Sequence, residues 1–231
     1  MGGPPKSGAT PGLPTGPLAP ARVPGSTWPT RVIDLLVGGT ALVVLSPLML
    51  VLAAAVRATS PGPALFRQTR IGYRGTPFVM LKFRSMRVDC DDTLHREYNK
   101  RELAGEDPRD EHTGVYKPAR DPRITAVGRV LRVTSLDELP QLINVLRGEM
   151  ALVGPRPALD WEVALYQPHH HERFLVKPGI TGLWQVSGRN RLSMREALEL
   201  DVAYARRRSV ALDLSILVRT VPTVLHLGMT R

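Results

Sequence analysis

Residues Ser135 to Pro157 read SLDELPQLINVLRGEMALVGPRP. Two adjacent carboxylates, Asp137 and Glu138, stand at the expected start of an apolar helix; Gly148 ends that helix, and a short apolar run leads to Arg156, held between Pro155 and Pro157. Glu138 lies three positions after Ser135, the spacing of a capping box, and acidic residues in a first helical turn suit the positive end of the helix dipole. A cap and a catalytic group are therefore both compatible with Glu138. Asp137 sits between Leu136 and Leu139, beside a helix terminus that favours its ionised form. That is the form a carboxylate nucleophile or a metal ligand requires. Arg132 precedes the pair and Arg156 follows the helix. Guanidinium forks match phosphate oxygens bidentately, so carboxylates set among arginines read as a phosphate-handling centre or as a structural ion pair.

Upstream, DPRIT at Asp121 to Thr125 makes a turn into a short helix that leads to Ser135, and residues 87 to about 120 are dense in charge, with a short helix expected around Thr93 to Leu103. Before them, SPGPALFRQTRIGYRGTPFVMLKFRSM, residues 60 to 86, predicts two strands, around Leu65 and Phe78 to Leu81, joined across Gly72 to Gly75. Lys82 and Arg84 alternate at the end of the second strand, which places both on one face, toward solvent, lipid headgroups or a substrate phosphate.

Farther upstream, no residue from Leu35 to Val56 is charged, and this run matches the roughly 20 residues of a bilayer-spanning helix. Ser46 and Pro47 fall near its middle, where proline removes a backbone donor and predicts a kink. Arg22 and Arg31 precede it, and Arg57, Arg67, Arg70 and Arg74 follow it. Basic residues mark cytoplasmic flanks, so basic flanks on both sides point to a re-entrant helix-break-helix over 31–57, with a kinked span as the alternative. Residues 1–30 are rich in Pro and Gly, with Lys6 and Arg22 as the only charges; this composition predicts a disordered tail and lacks the pattern of a signal peptide.

Downstream, Leu159 to Tyr166 is amphipathic and runs into three histidines, His169 to His171, whose adjacent positions are not expected to converge on one metal ion. KPGITGLWQVSGRN, residues 177 to 190, predicts a glycine loop whose backbone closely approaches something, an anionic ligand being one candidate. LSMREALELDVAYARR predicts a helix, and the apolar segment Val210 to Leu227, which carries Asp213 and Arg219, predicts an interfacial one. The single cysteine, Cys90, excludes an internal disulfide and a thiolate zinc cluster. A net charge of +10 calls for acidic partners. Nucleic acid is disfavoured among them, because the chain shows neither aromatic platforms nor a helix-turn-helix or zinc signature.

Together the Ser46-Pro47 segment, KFRSM at Lys82 to Met86, DPRIT, SLDELPQL, VGPRP and PGITGLWQVSGRN at Pro178 to Asn190 resemble, in order, the motifs of the bacterial sugar transferases. These are monotopic polyprenyl-phosphate phosphoglycosyl transferases, and the resemblance covers roughly residues 31 to 220. It implies a small mixed α/β catalytic domain over 58–231 on the cytoplasmic face of the inner membrane, a re-entrant anchor, and interfacial amphipathic helices. It further implies transfer of a sugar phosphate from a UDP-sugar to undecaprenyl phosphate, with UMP released through an aspartyl-phosphosugar. The resemblance makes Asp137 the nucleophile and Glu138 its partner, with a magnesium ion on the pair. It assigns Lys82, Arg132, Arg156 and Arg189 to phosphate or substrate binding, and Arg84 joins them from the strand pattern. A homodimer is compatible with these assignments. The chain departs from the family at Ala151, where serine is common, and at Arg208-Ser209-Val210, where an aromatic-serine pair is common. These departures point to sugar preference or helix packing. The rival within the family is an inactive membrane adaptor; a transferase that moves the sugar without its phosphate would release UDP.

Overall fold

The computed structural model describes residues 27–87, 100–102, 123–188 and 192–226. Helix α1, Thr27–Thr59, carries the long apolar run. Thr30, Asp34 and Gly38, spaced by four and so on one face, turn toward the protein and are buried. Val43 and Leu50 leave about three-quarters of their surface open, at 74% and 73%. Residues Trp28–Thr59 are long and apolar enough to cross a membrane. The helix runs unbroken through Ser46 and Pro47. Pro47 has no N–H for the Val43 carbonyl, and the Ser46 hydroxyl donates to that carbonyl instead, at 2.8 Å. The expected break is therefore not a loss of helix.

Polar groups fasten the start of α1 to the domain. Arg31 donates through Nη1 to the Val145 carbonyl at 2.6 Å and through Nη2 to the Leu146 carbonyl at 2.8 Å. These carbonyls belong to the last turn of helix α3, Gln141–Arg147, and that of Val145 also accepts from the Gly148 amide at 3.0 Å. Asp34 Oδ1 accepts from the Leu152 amide at 2.8 Å. Among the described residues, the far half of α1 meets the domain through apolar contacts, with Val56 packed against Phe83 and Leu131.

Strands β1, Leu65–Ile71, and β2, Pro77–Phe83, form the expected hairpin, antiparallel with Phe66 opposite Lys82. Helix α2, Ala126–Thr134, starts on Thr125, whose hydroxyl accepts from the Gly128 amide at 2.9 Å. Of the helix expected around Thr93 to Leu103, residues 100–102 are helical and the rest lies outside the described residues.

The central stretch departs from its sequence reading in one respect. Ser135 closes α2 in the left-handed region, φ 57, and its side chain makes no cap bond to the turn after it. An N-cap needs extended backbone, so the Ser135–Glu138 capping box does not form. Asp137 and Glu138 sit in a 3-10 turn, Leu136–Glu138, ahead of α3. A capping box forms instead at Ser193 and Glu196, where α6, Met194–Arg207, begins. Gly148 ends α3 at φ 81, as a glycine after a helix does most readily.

Strand β3, Ala151–Val153, pairs in parallel with β4, Gly179–Thr181. Here the glycines of the KPGITG segment find their reason. A Cβ on Gly179 would lie 2.0 Å from the Gly154 amide nitrogen, so the loop's close approach is to the VGPRP backbone. Short helices α4, Asp160–Val163, and α5, Leu183–Ser187, and the 3-10 turn Pro168–Leu175 fill the span between α3 and α6. Helix α7, Val210–His226, closes the domain; it buries Ile216 and Asp213 while leaving Leu214, Val218 and Val221 exposed. Met80, Val145, Met150, Val153, Tyr204 and Ile216 join β2, α3, β3, α6 and α7 in one core, and the architecture is mixed α/β.

Asn144 locks α3 to β2. It is fully buried; its Oδ1 accepts from the Leu81 amide at 3.0 Å, and its Nδ2 donates to the Val79 carbonyl at 2.7 Å and to Glu149 Oε2 at 2.6 Å. The side chain replaces a missing neighbour strand. Asn144→Leu keeps the volume and strands the buried Leu81 amide and the part-buried Val79 carbonyl, so it should cost about 2–5 kcal/mol. Thermal unfolding in detergent micelles checks this, and melting at the wild-type temperature would contradict it.

Candidate active site

Lys82 emerges from the end of β2 next to the residues that Asn144 holds, with its ammonium 5.2 Å from the centre of the Phe66 ring on β1. Burial pulls its proton affinity down to about 8, and the charges of Arg70, Arg132 and Arg156 push the same way. Asp137 pulls in the opposite direction. Four charged groups from separate parts of the chain thus act on Lys82. Arg70 comes from β1, Lys82 from β2, Arg132 from the last turn of α2, Asp137 from the 3-10 turn and Arg156 from the loop after β3.

Asp137 is 8% exposed, Glu138 is half-buried and Arg132 is exposed. The turn that carries the carboxylates is anchored by Leu136 and Leu139, which pack against the Val56–Phe83–Leu131 cluster. The apolar neighbours that flank Asp137 in sequence thus pin its backbone. Asp137 and Glu138 together offer adjoining hard oxygen donors, a set that suits magnesium, which takes one or two carboxylates and completes its shell with water and phosphate. A carboxylate nucleophile with cations about it can receive a phosphoryl group whose negative charge those cations offset.

Arg156 is half-buried on a loop whose backbone is tightly held. Its carbonyl accepts from Arg173 Nη2 at 2.6 Å, and the Pro157 carbonyl accepts from Arg70 Nη1 at 3.1 Å. Arg173 also bonds Asp201 at 2.6 Å. Burial raises the Asp201 carboxyl to about 6 against the pull of Arg173, which leaves it ionised at pH 8.

Arg84 does not join Lys82. Its Nη2 donates to the Ser60 carbonyl at 2.7 Å and to the Ser60 hydroxyl at 2.9 Å, and its Nη1 donates to the Pro61 carbonyl. The backbone of Arg84 still pairs with Ala64 just past the strand, its N–H donating to that carbonyl at 2.9 Å, but Ser60 and Pro61 claim its guanidinium. Its guanidinium ties the hairpin to the exit of α1. Arg189 lies outside the described residues.

The adjacent histidines converge more than their spacing suggests. His169 Nε2 and His170 Nε2 lie 2.8 and 3.1 Å from the same oxygen of Glu199, because the 3-10 turn presents both rings to α6. His170 Nδ1 accepts from the Gln167 amide at 3.2 Å, which places the ring proton on Nε2, facing Glu199. With that nitrogen protonated, the arrangement is a hydrogen-bonded cluster in which His170 has no lone pair turned toward a metal.

Sequence reasoning missed Arg70, Arg173, Asp201 and Asn144. Arg70 was legible only as one of several basic residues after an apolar run, and nothing in local sequence distinguishes an arginine that will be buried. Arg173 follows the histidines and Asp201 sits in an amphipathic helix, where a charged residue is ordinarily solvent-facing.

Comparison with known proteins gives a concordant result. The family described as bacterial sugar transferase matches residues 26–227. The exopolysaccharide production protein ExoY of Rhizobium meliloti is 40% identical over 194 residues, 84% of either chain. A UDP-glucose:undecaprenyl-phosphate glucose-1-phosphate transferase of Caulobacter vibrioides is 41% identical over 203 residues, 84% of this chain and 69% of that one. An undecaprenyl-phosphate galactose phosphotransferase of Salmonella typhimurium is 42% identical over 198 residues, 85% of this chain and 40% of that longer one. With the family motifs in order and the match spanning nearly the whole chain, this protein belongs to the bacterial sugar transferase family.

Proposed function

We propose that the protein transfers a sugar phosphate from a UDP-sugar to undecaprenyl phosphate, releasing UMP, as a membrane step of exopolysaccharide or glycoconjugate assembly. The observation that carries this reading is the gathering of Arg70, Arg132, Arg156 and the Asp137 carboxylate about the Lys82 ammonium, on a domain bearing a long apolar helix. A diphosphate donor and a phosphate acceptor are both anionic, and their encounter needs concentrated positive charge. The Caulobacter relative is named for a UDP-glucose donor and an undecaprenyl-phosphate acceptor, and the Salmonella relative for the same acceptor; the adaptor reading has no observation in its favour.

In the proposed reaction a carboxylate oxygen of Asp137 bonds to the sugar-bearing phosphorus. The bond from that phosphorus to the UMP oxygen breaks, and UMP leaves with the electron pair. An oxygen of undecaprenyl phosphate then bonds to the same phosphorus, releasing the Asp137 carboxylate and forming the diphosphate. Lys82, Arg132 and Arg156 bind and orient the phosphates. A magnesium ion, held by Asp137 and Glu138, would supply further positive charge at the diphosphate. Two half-reactions let a soluble donor and a lipid acceptor use one site in turn.

The exposed apolar face of α1 meets lipid in this reading. Basic flanks at both ends favour a re-entrant course with the domain on the cytoplasmic face. The Ser46 bond to Val43 satisfies the carbonyl that Pro47 would strand in hydrocarbon. The stripe of Leu214, Val218 and Val221 on α7 suits the headgroup boundary.

Three measurements test the proposal. Detergent-purified protein with magnesium, undecaprenyl phosphate and a set of UDP-sugars should release UMP with at least one donor, and Asp137→Asn should lower the rate on the order of 1,000-fold or more. Release of UDP, or a fully active variant, would contradict the mechanism. Lys82 is cationic below about 8 and loses its proton as pH rises through that value. Donor KM should therefore rise above pH 8, and Lys82→Arg, which stays charged, should flatten that rise; parallel profiles would count against a phosphate-binding Lys82. With Cys90 replaced by serine, single cysteines introduced as Trp28→Cys and Ala58→Cys should both react with an impermeant maleimide from the same side of a proteoliposome. Labelling from opposite sides would establish a span.

A further inference from the structure

Every backbone carbonyl from Pro155 to Ala158 has a donor. Gly179 N–H donates to the Pro155 carbonyl at 2.9 Å, Arg173 to that of Arg156, Arg70 to that of Pro157, and Ile71 N–H to that of Ala158 at 2.8 Å. The prolines on either side of Arg156 also restrict φ. The loop is therefore preorganised, leaving the Arg156 side chain as its adjustable part.

Arg173 is the costly member of this set. It is 4% exposed, and its fork meets three partners in different directions: Tyr166 Oη at 2.5 Å through Nη1, and the Arg156 carbonyl and Asp201 Oδ2, each at 2.6 Å, through Nη2. An apolar side chain would fill the same space without a buried charge. What it would lack is a donor for the Arg156 carbonyl, and no single ammonium has the planar reach to serve all three partners.

We propose that Arg173, neutralised by Asp201 and oriented by Tyr166, is a positioning residue for the transfer reaction, holding Arg156 by its backbone so that its guanidinium meets the donor phosphates in register. The inference rests on the phosphate role of Arg156 given above. It extends the functional unit to the 3-10 turn Pro168–Leu175 and to α6, neither of which carries a residue of the proposed chemistry.

The test is a double-mutant cycle in the full-length protein in detergent. Arg173→Lys keeps the charge and loses the fork; Asp201→Asn keeps the shape and loses the neutralising charge, and it stands in if the first variant fails to fold. Each should lower kcat/KM for the donor about 10- to 100-fold, the scale of a small misplacement of a binding group. In an Arg156→Ala background the same substitutions should cost less than about 3-fold further. The loss in melting temperature should be the same in both backgrounds. Effects that multiply across the two backgrounds would make Arg173 merely structural and overturn the proposal. Amide hydrogen exchange gives a second readout that is independent of turnover. Arg173→Lys should speed exchange in peptides spanning residues 154–158 by about 10-fold or more relative to the β1–β2 hairpin, and unchanged exchange would overturn the proposal whatever the kinetics. Wild-type turnover in Arg156→Ala alone would instead remove Arg156 from the proposed function, and with it the catalytic part of this inference, while exchange would still decide whether Arg173 holds the loop.

Discussion

The amide of Asn144 is the constraint on which the rest of the site depends. β2 has β1 on one side, and on the other its Val79 and Leu81 backbone groups are met by one side chain from a helix. A buried peptide group left without a partner is costly, so α3 is held to β2 in a single register. The residue after Leu81 is Lys82, and the turn before α3 carries Asp137. The same two hydrogen bonds that satisfy a strand edge therefore set the spacing between the lysine and the carboxylate. Glu149, accepting from Asn144 Nδ2, fixes the orientation of the amide and extends the lock to the segment that leads into β3.

A second consequence concerns how α1 meets the domain. The helix is bonded at its beginning and greased at its end. Arg31, Asp34 and Thr30 engage α3, β3 and Arg208, whereas the distal half touches the domain through Val56 and its neighbours. Arg208 stands at one of the two departures from the family pattern. It is buried, donates to Thr30 at 2.8 Å and lies 3.8 Å from Asp213, which in turn accepts from Tyr204 at 2.6 Å. The departure thus belongs to the joint between α1 and the last two helices and not to the cluster around Asp137. Ala151, the other departure, is buried in β3, on the strand rather than in the charge cluster.

The charge arrangement has its own logic. Burial is the main reason that the proton affinity of Lys82 is depressed, and repulsion from Arg70, Arg132 and Arg156 adds to it against the pull of Asp137. The repulsion is sustained because the backbone positions are over-determined by bonds that do not involve the charges' own ends: Asn144 for Lys82, Leu136 and Leu139 for Asp137, and the captured loop carbonyls for Arg156. An anionic ligand relieves the repulsion, so binding is favoured by what the empty cluster costs. Arg70, Arg84 and Arg173 are the contrasting cases, arginines whose Nη donors are committed to carbonyls and to an amide oxygen, hydroxyl or carboxylate beside them.

Much of this was legible from residue order. The hairpin about Gly72 to Gly75, the helix stop at Gly148, the final two helices and the apolar segment all follow from local rules of φ preference and periodicity, which act over a few residues. The ordered motifs likewise identified the family and singled out Asp137, Glu138, Lys82, Arg132 and Arg156. The tertiary structure decided what local rules do not reach. It turned Ser135 into the left-handed end of α2 and so dissolved the expected capping box; it spent Arg84 on the exit of α1; and it brought His169 and His170 together on Glu199. It also gave the KPGITG glycines a backbone to approach, that of Gly154. In each case the deciding partner lies far along the chain or depends on where an element stops. Sequence by itself determined which groups could do the proposed chemistry, because residue type carries charge and nucleophilicity; only tertiary structure decided which arginines are spent on the fold, because a carbonyl that needs a donor claims one within reach.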